Sequence, residues 1–123
     1  MLGTHDYVGF IPTADLQSAK EFYQSTLGLT LKSEDQFAIA FKVNGRFLRV
    51  TKVEKFEPFP FTISGWEVSD IEDVAASLKE RGVRFERFSG MDQSELGVWQ
   101  SPSGAKVAWF KDPDGNVLSI SEY

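Results

Sequence analysis

The chain has few side chains of the kinds that catalyse reactions or bind metal ions. It contains no cysteine and one histidine, His5, so thiolate chemistry and a cluster of imidazole ligands are both excluded. No Ser-His-Asp triad can be assembled, and no glycine-rich phosphate loop is present. His5 itself is interpreted as a surface residue near the chain end. The chemistry that remains is that of carboxylates, guanidinium groups, hydroxyls and aromatic rings.

Two acidic segments have the oxygen ligands that a cation would need. The segment Asp112-Pro113-Asp114-Gly115-Asn116 is typical of a tight turn, and we interpret it as structural. The segment from Gly90 to Glu95 also carries Asp92, and it could close as a lid over a cavity. A solvated connection is the favoured interpretation, because most acidic loops containing glycine have only that role.

The composition is that of one compact domain with a substantial core. The 123 residues are 41% hydrophobic and 14% aromatic, which is enough to fold without disulfides. The net charge is −5, and Lys and Arg are scattered along the chain, so nucleic acid is not an expected partner. No apolar run approaches the roughly 20 residues of a membrane span, and the first residues lack the features of a signal peptide. We therefore expect a cytoplasmic protein with no membrane association.

A strand followed by an amphipathic helix occurs twice. The first predicted strand begins near Val8, and its helix runs from Asp15 to about Thr26 with one apolar face, formed by Leu16, Ala19, Phe22 and Tyr23. The second strand begins near Ile63. Its helix starts at Ser69-Asp70-Ile71-Glu72, where the Ser-to-Glu spacing is that of a capping box. Gly28 and Gly82 follow the two helices as expected stop signals.

Further strands follow each helix. They are predicted at residues 29–32, 37–41 and 46–53 in the first half and at 84–88, 96–100, 106–110 and 117–120 in the second. Asn44-Gly45 favours a type I′ hairpin turn, and the proline-containing stretch 55–61 is interpreted as a linker. The sequence thus predicts an α+β fold of two tandem β-α-β-β-β modules, at about 6–54 and 62–123, within a single domain spanning 1–123.

Several short segments, in this order, resemble one superfamily. They are Ala14-Asp15-Leu16, Glu21-Phe22-Tyr23 with Leu27-Gly28-Leu29, Val68-Ser69-Asp70-Ile71, and Trp109-Phe110-Lys111-Asp112-Pro113-Asp114-Gly115-Asn116. Together they resemble the glyoxalase, bleomycin-resistance and dioxygenase superfamily, the vicinal oxygen chelate proteins. The resemblance covers about Tyr7 to Ser121. It implies a curved mixed sheet that encloses a cavity and carries the helices on its outside.

Metal-dependent members of that superfamily commonly carry a His in the first strand of a module and a Glu in the last. Aligning Asp15 with Asp70 places Val8 against Ile63, and aligning Gly45 with Gly115 places Arg49 against Ser119. Of those four side chains only the Ser119 hydroxyl could bind a metal, and it would do so weakly. The resemblance therefore implies the fold without its usual metal centre, and we expect no metal or other cofactor.

Strand alternation, combined with the resemblance, predicts which side chains line the cavity. The expected ligand-binding residues are Phe10, Phe47, Arg49, Glu67, Trp99 and Ser119. Strand parity places the charges of Arg49 and Glu67 inside the cavity. They either pair with each other or reach its rim and serve the fold, or else they bind a ligand. In the last case Arg49 takes an anionic or carbonyl group and Glu67 a cationic or hydroxyl group. Several aromatic rings either stack on a planar ligand or belong to the core, namely those of Phe37, Phe41, Phe47, Trp99 and Trp109.

The favoured function is binding of a small organic ligand by a homodimer, as in the drug-sequestering members of the superfamily. Three alternatives stay open because this fold serves many activities. The first is a metal-dependent lyase, isomerase or dioxygenase whose metal ligands lie elsewhere in the chain. The second is a metal-free enzyme with Glu67 as its general base. The third is a structural or regulatory subunit whose cavity is filled by its own side chains.

Overall fold

A computed structural model describes residues 1–123, and the chain divides into two compact units, Met1–Glu57 and Pro58–Tyr123. Each unit contains one four-stranded mixed sheet with a helix packed on one of its faces. This is the α+β arrangement of two tandem modules that the sequence predicts. The boundary between the units falls within the predicted linker at 55–61.

The first unit has the element order predicted for a module. Its elements are β1 (Val8–Thr13), α1 (Leu16–Lys20), a π-helical turn (Glu21–Thr26), β2 (Thr30–Glu34), β3 (Ala38–Val43) and β4 (Arg46–Lys52). The strands lie in the order β1-β4-β3-β2. Strand β1 is parallel to β4, and the other neighbours are antiparallel. A short 3₁₀ turn (Leu2–Thr4) precedes β1.

Local sequence explains how this helix starts and how the hairpin turns. Asp15 caps α1, because its carboxylate accepts hydrogen bonds from the backbone N–H groups of Gln17 and Ser18. Asn44 and Gly45 have φ values of 46° and 79°, which confirms that both residues of the β3–β4 turn adopt positive φ. The predicted helix does reach Thr26, but its second half is π-helical. There the Leu27 N–H donates to the carbonyl of Phe22, five residues earlier.

The second unit repeats the plan, with a much shorter strand at the far edge of its sheet. Its elements are β5 (Thr62–Glu67), α2 (Ile71–Glu80), β6 (Trp99–Gln100), β7 (Lys106–Lys111) and β8 (Val117–Glu122). The strand order is β5-β8-β7-β6, with β5 parallel to β8. The cap of α2 is Asp70 rather than Ser69, since the Asp70 side chain accepts a hydrogen bond from the Asp73 N–H. The helix is therefore capped one residue later than the capping box predicted at Ser69, and by a single side-chain hydrogen bond.

Two strands predicted in the second half are absent or shortened. Residues 84–88 form only an isolated bridge from Phe85 to Phe110, and β6 retains two of the five residues predicted at 96–100. In this segment a side chain forms hydrogen bonds with backbone N–H and C=O groups that would otherwise pair with a neighbouring strand. Gln93 donates to the carbonyls of Glu86 and Gly97 and accepts from the Phe88 N–H. A polar side chain that satisfies the backbone in this way competes directly with a strand ladder.

The core of each unit lies between its sheet and its helix. In the first unit alternate strand residues are buried against α1 and the π-helical turn, namely Ile11, Ile39, Phe41, Leu48 and Val50. In the second unit the corresponding residues are Ala108, Phe110, Leu118 and Ile120, which face the buried Ile71, Ala75 and Leu78 of α2. The opposite face of each sheet carries no helix of its own. No helix of the chain combines the length and the apolar character that crossing a membrane requires.

Candidate functional site

The helix-free face of the first sheet carries three of the six predicted ligand-binding residues. Phe10 of β1 lies beside Arg49 of β4, and Val8 lies beside Phe47 two residues earlier in both strands. Because side chains two apart along a strand share a face, Phe10, Phe47 and Arg49 lie on the same face. Phe10 is 65% exposed and Phe47 is 39% exposed. The structure thus brings these three side chains together on an open, aromatic surface.

Arg49 is solvent-exposed and is therefore not a buried charge, whereas its expected place at a cavity rim or against a ligand stays a prediction. The physical reason is that strand alternation fixes the face on which a side chain lies and does not fix how deeply that face is covered. Arg49 acts electrostatically on Asp35. The pKa of Asp35 is lowered by hydrogen bonds from the N–H groups of Phe37 and Ala38, and the positive charge of Arg49 lowers it further.

The helix-free face of the second sheet carries the other three predicted residues. Ser119 of β8 lies between Gly65 and Trp109, and one row further along, Ser121 lies between Glu67 and Val107. Trp99 of β6 lies beside Val107. Glu67, Ser119 and Trp99 therefore share one face, as predicted. Glu67 and Trp99 are in register with each other across the sheet, through Ser121 and Val107. Ser119 lies two residues before Ser121 in β8.

An aromatic cluster is built on this second face. The rings of Trp99 and Trp109 are 6.1 Å apart and tilted by 36°, and the ring of Phe88 meets Trp109 edge-on at 5.4 Å. Trp109 and Phe88 are absent from the predicted ligand-binding residues. For Trp109 a sequence signal did exist, because it alternates with Val107 in β7. Phe88 gave no such signal, since its position follows from the side-chain hydrogen bonds of Gln93 and not from a strand.

The polar groups beside the aromatic cluster are Ser119 and Glu67. Ser119 is half-buried and Glu67 is exposed, so Glu67, like Arg49, is not a buried charge. Glu67 takes part in none of the ion pairs of the structure. Gly65 allows Ser119 to lie close to β5, because a Cβ at position 65 would be 2.9 Å from the Ser119 carbonyl oxygen.

The pairing of β5 with β8 in the second sheet matches the pairing of β1 with β4 in the first, apart from one extra residue in β5. Phe10 lies beside Arg49 as Gly65 lies beside Ser119, which agrees with the alignment of Arg49 with Ser119. However, β5 has a register shift between Thr62 and Ser64, and Thr62 lies beside Val117. The position equivalent to Val8 is therefore Thr62. The alignment of Val8 with Ile63 is wrong, because Ile63 is the extra residue of a β-bulge.

The residues at the superfamily's usual metal-binding positions do not fit a metal centre. With the corrected register these positions hold Val8, Thr62, Arg49 and Ser119, which offer two neutral hydroxyls and one permanent positive charge. Divalent metal centres in proteins are usually built on several carboxylate, imidazole or thiolate donors, and these four positions supply none. Nor does the structure contain a group of three or more His, Cys, Asp and Glu side chains arranged to hold a metal ion.

The loop from Gly90 to Glu95 is anchored at several points. Gln93 makes the three hydrogen bonds described above, and the Arg87 guanidinium donates to the carbonyls of Gln93 and Ser94.

The turn at 112–116 is held by hydrogen bonds among its own residues. Asp112, which is 6% exposed, accepts hydrogen bonds from the Asp114 N–H, the Asn116 N–H and the Asn116 side-chain amide, each 2.9 Å long. These acidic residues serve a structural turn.

Comparison with known proteins agrees with this architecture. The sequence profile of the Glyoxalase/Bleomycin resistance protein/Dioxygenase superfamily matches residues 5–120. The chain therefore belongs to this superfamily. No curated protein matches the chain.

Many solved structures share the fold. A glyoxalase/bleomycin resistance protein/dioxygenase from Alicyclobacillus acidocaldarius has 21% identity and a TM-score of 0.71, over 98% of this chain and 92% of its own. The lactoylglutathione lyase from Agrobacterium tumefaciens has 14% identity and a TM-score of 0.76, over 97% and 93%. A glyoxalase family protein from Enterococcus faecalis has 23% identity and a TM-score of 0.69, over 96% and 95%. At these identities the likeness establishes the fold alone.

Proposed function

We propose that this chain is a cytoplasmic, small-molecule-binding protein of the glyoxalase and bleomycin-resistance superfamily that works without the usual metal centre. The observation that carries the proposal is the helix-free face of the second sheet. There the aromatic cluster of Trp99, Trp109 and Phe88 stands next to polar groups that no other residue engages. Aromatic walls with a few unengaged polar groups are the usual composition of a small-molecule site.

The chemistry of this face defines the class of ligand. The indole rings offer flat surfaces on which a planar ring can stack. Glu67 supplies a negative charge for a cationic or hydroxyl group of the ligand, and the Ser119 hydroxyl can donate or accept one hydrogen bond. A planar organic cation satisfies all three. On the first sheet Phe10 and Phe47 offer a second aromatic surface, and Arg49 supplies a positive charge for a carbonyl or anionic group.

Tryptophan fluorescence can test this assignment, because the chain has only three tryptophans. Two of them, Trp99 and Trp109, belong to the proposed site. Trp66 is the neighbour of Glu67 in β5, so its side chain lies on the opposite face of the sheet. Planar cationic aromatic dyes should quench the emission saturably. Trp99→Phe and Glu67→Gln should weaken binding, and Trp66→Phe is the matched control that should leave it unchanged. Equal affinity in all three variants would rule out this face as the binding site.

The proposed absence of a metal centre has its own test. Elemental analysis of purified, tag-free protein should find no stoichiometric metal, and Ni²⁺, Zn²⁺, Mn²⁺ and Fe²⁺ added singly should leave the melting temperature unchanged. Stoichiometric metal, or a melt raised by several degrees, would favour a metal-dependent lyase, isomerase or dioxygenase instead.

We further propose that the protein is a homodimer. In each sheet the first strand is an edge strand, because β1 pairs only with β4 and β5 only with β8. Exposed edges and exposed aromatic side chains, such as Phe10, Phe59 and Phe61, are features that proteins usually cover. Sedimentation equilibrium should give twice the chain mass of 13.8 kDa. A concentration-independent monomer would refute this part of the proposal.

A further inference from the structure

A groove of mostly positive charge lies at the C-terminal end of α2. Its cavity volume is about 330 Å³, and its lining includes Lys79, Arg84 and Arg87 together with Phe85, Leu96 and Glu95. None of these residues belongs to the aromatic face proposed above. The groove thus gathers three cations and one carboxylate in a chain whose net charge is −5.

The end of the helix builds one wall of the groove. The Val83 N–H donates to the carbonyl of Leu78, and Gly82, with φ of 94°, carries the chain out of the helix. This is a glycine C-cap, and it buries Val83 at 7% exposure. Lys79 in the last turn and Arg84 after the cap are both exposed. The fold therefore places one cation on each side of a fixed turn, Lys79 before it and Arg84 after it.

Protein carboxylates do not neutralise the three cations. The ion pairs of the structure join Lys20 to Glu34, Arg46 to Asp6 and Lys111 to Glu86, so the groove cations take part in none of them. Glu95 lines the same groove but makes no ion pair with them. Arg87 is held in position, because its guanidinium donates to the carbonyls of Ser94 and Gln93. The remaining N–H groups of Arg87 have no carboxylate partner.

We infer that this groove binds a small organic phosphate monoester. Together with the Glu95 carboxylate, the three cations give the groove a formal charge of +2, which matches a phosphate dianion, and arginine forks suit its oxygens. The half-buried Phe85 and Leu96 supply an apolar surface for the organic group. The cavity volume lies within the usual range for small-molecule pockets. The partial negative charge of the helix C-terminus opposes an anion, but at roughly half an elementary charge it is smaller than the three cations together.

The inference can be tested with two substitutions, one that removes a positive charge from the groove and one that removes its negative charge. Phenyl phosphate, titrated at constant ionic strength and followed by amide NMR shifts, should perturb residues 79–87 and 95–96 saturably. Arg84→Gln should weaken binding by about tenfold, the effect of losing one charge-assisted hydrogen-bonding group. Glu95→Gln should strengthen binding, which an unfolded variant cannot do. Arg81→Gln, which changes the same charge just outside the groove, is the matched control and should have little effect.

The possible outcomes distinguish specific binding in the groove from non-specific attraction of anions to positive charge. Inorganic phosphate should bind at the same residues but more weakly than phenyl phosphate, because it lacks the aromatic group. Equal losses in Arg84→Gln and Arg81→Gln, or shifts that chloride reproduces, would overturn the inference. Equal affinity for the two phosphates would refute the role of Phe85 and Leu96. Each result is independent of the aromatic face, whose tryptophan quenching is measured separately.

Discussion

Replacement of Asp112 by alanine should be one of the most damaging single changes in the second unit. The Asp112 carboxylate holds the turn that joins β7 to β8, the strands that carry Trp109 and Ser119. It accepts hydrogen bonds from two backbone N–H groups and from the Asn116 side chain. Alanine at this position removes the acceptor and leaves every donor in place.

The size of the effect follows from the burial of those donors. Asn116 is 2% exposed, so its backbone N–H and its side-chain amide would both lose a partner in a place that water reaches poorly. An unsatisfied buried donor costs about 1–3 kcal/mol. The Asp114 N–H is only part-buried, and water can replace its partner. We expect a loss of about 3 kcal/mol in the free energy of unfolding, or about 12 °C in melting temperature for a chain of this size.

Urea denaturation followed by tryptophan fluorescence can measure this loss. Asp92→Ala, which removes an exposed carboxylate from the neighbouring loop, is the matched control and should change stability by about 0.5 kcal/mol at most. Asp112→Asn keeps one oxygen acceptor and should have an intermediate effect. A loss below about 1 kcal/mol in Asp112→Ala would show that the turn is held by other interactions and would refute the reasoning.

Three further predictions follow from individual contacts. Gly65→Ala should destabilise the protein by about 1–3 kcal/mol in the same urea assay, because the new methyl group would overlap Ser119. Gln93→Ala should speed hydrogen exchange and proteolysis in the segment 86–97, since three backbone groups lose their side-chain partner; unchanged exchange would mean that the loop is held elsewhere. The pKa of Asp35 lies below its ordinary value of 3.8, so the stability that it contributes is complete above that pH and is lost as the pH falls through the lowered value. Melting temperatures of the wild type and Asp35→Asn should therefore differ at pH 7, and the difference should shrink as the pH falls below 3.8; a constant difference would contradict the shift.

The features predicted well from the sequence depend on short-range signals. The hairpin turn at Asn44-Gly45, the helix starts near Asp15 and Asp70, and the shared face of Phe10 and Arg49 each follow from neighbouring residues. Local dihedral preferences, side-chain caps and strand alternation act over a few residues, so a sequence displays them directly.

The features that were missed depend on long-range or main-chain effects. Gln93 replaces the predicted strand at 84–88 by bonding to residues up to seven positions away, and no sequence pattern marks that competition. The exposure of Arg49 depends on how much of its sheet face is covered, which alternation does not describe. The bulge at Ile63 is a change of main-chain pairing, and the surrounding apolar residues fit either register.

The bulge at Ile63 also bears on how the two halves of the chain are related. It adds one residue to β5, and the pairing with β8 on both sides of it is the pairing that β1 makes with β4. Two copies of one ancestral module would thus differ in the length of this strand by a single codon. Deleting Ile63 would bring Thr62 and Ser64 into consecutive register and give the second half the strand geometry of the first. A histidine placed at position 62 of that shortened chain would then occupy the position that Val8 occupies in the first half.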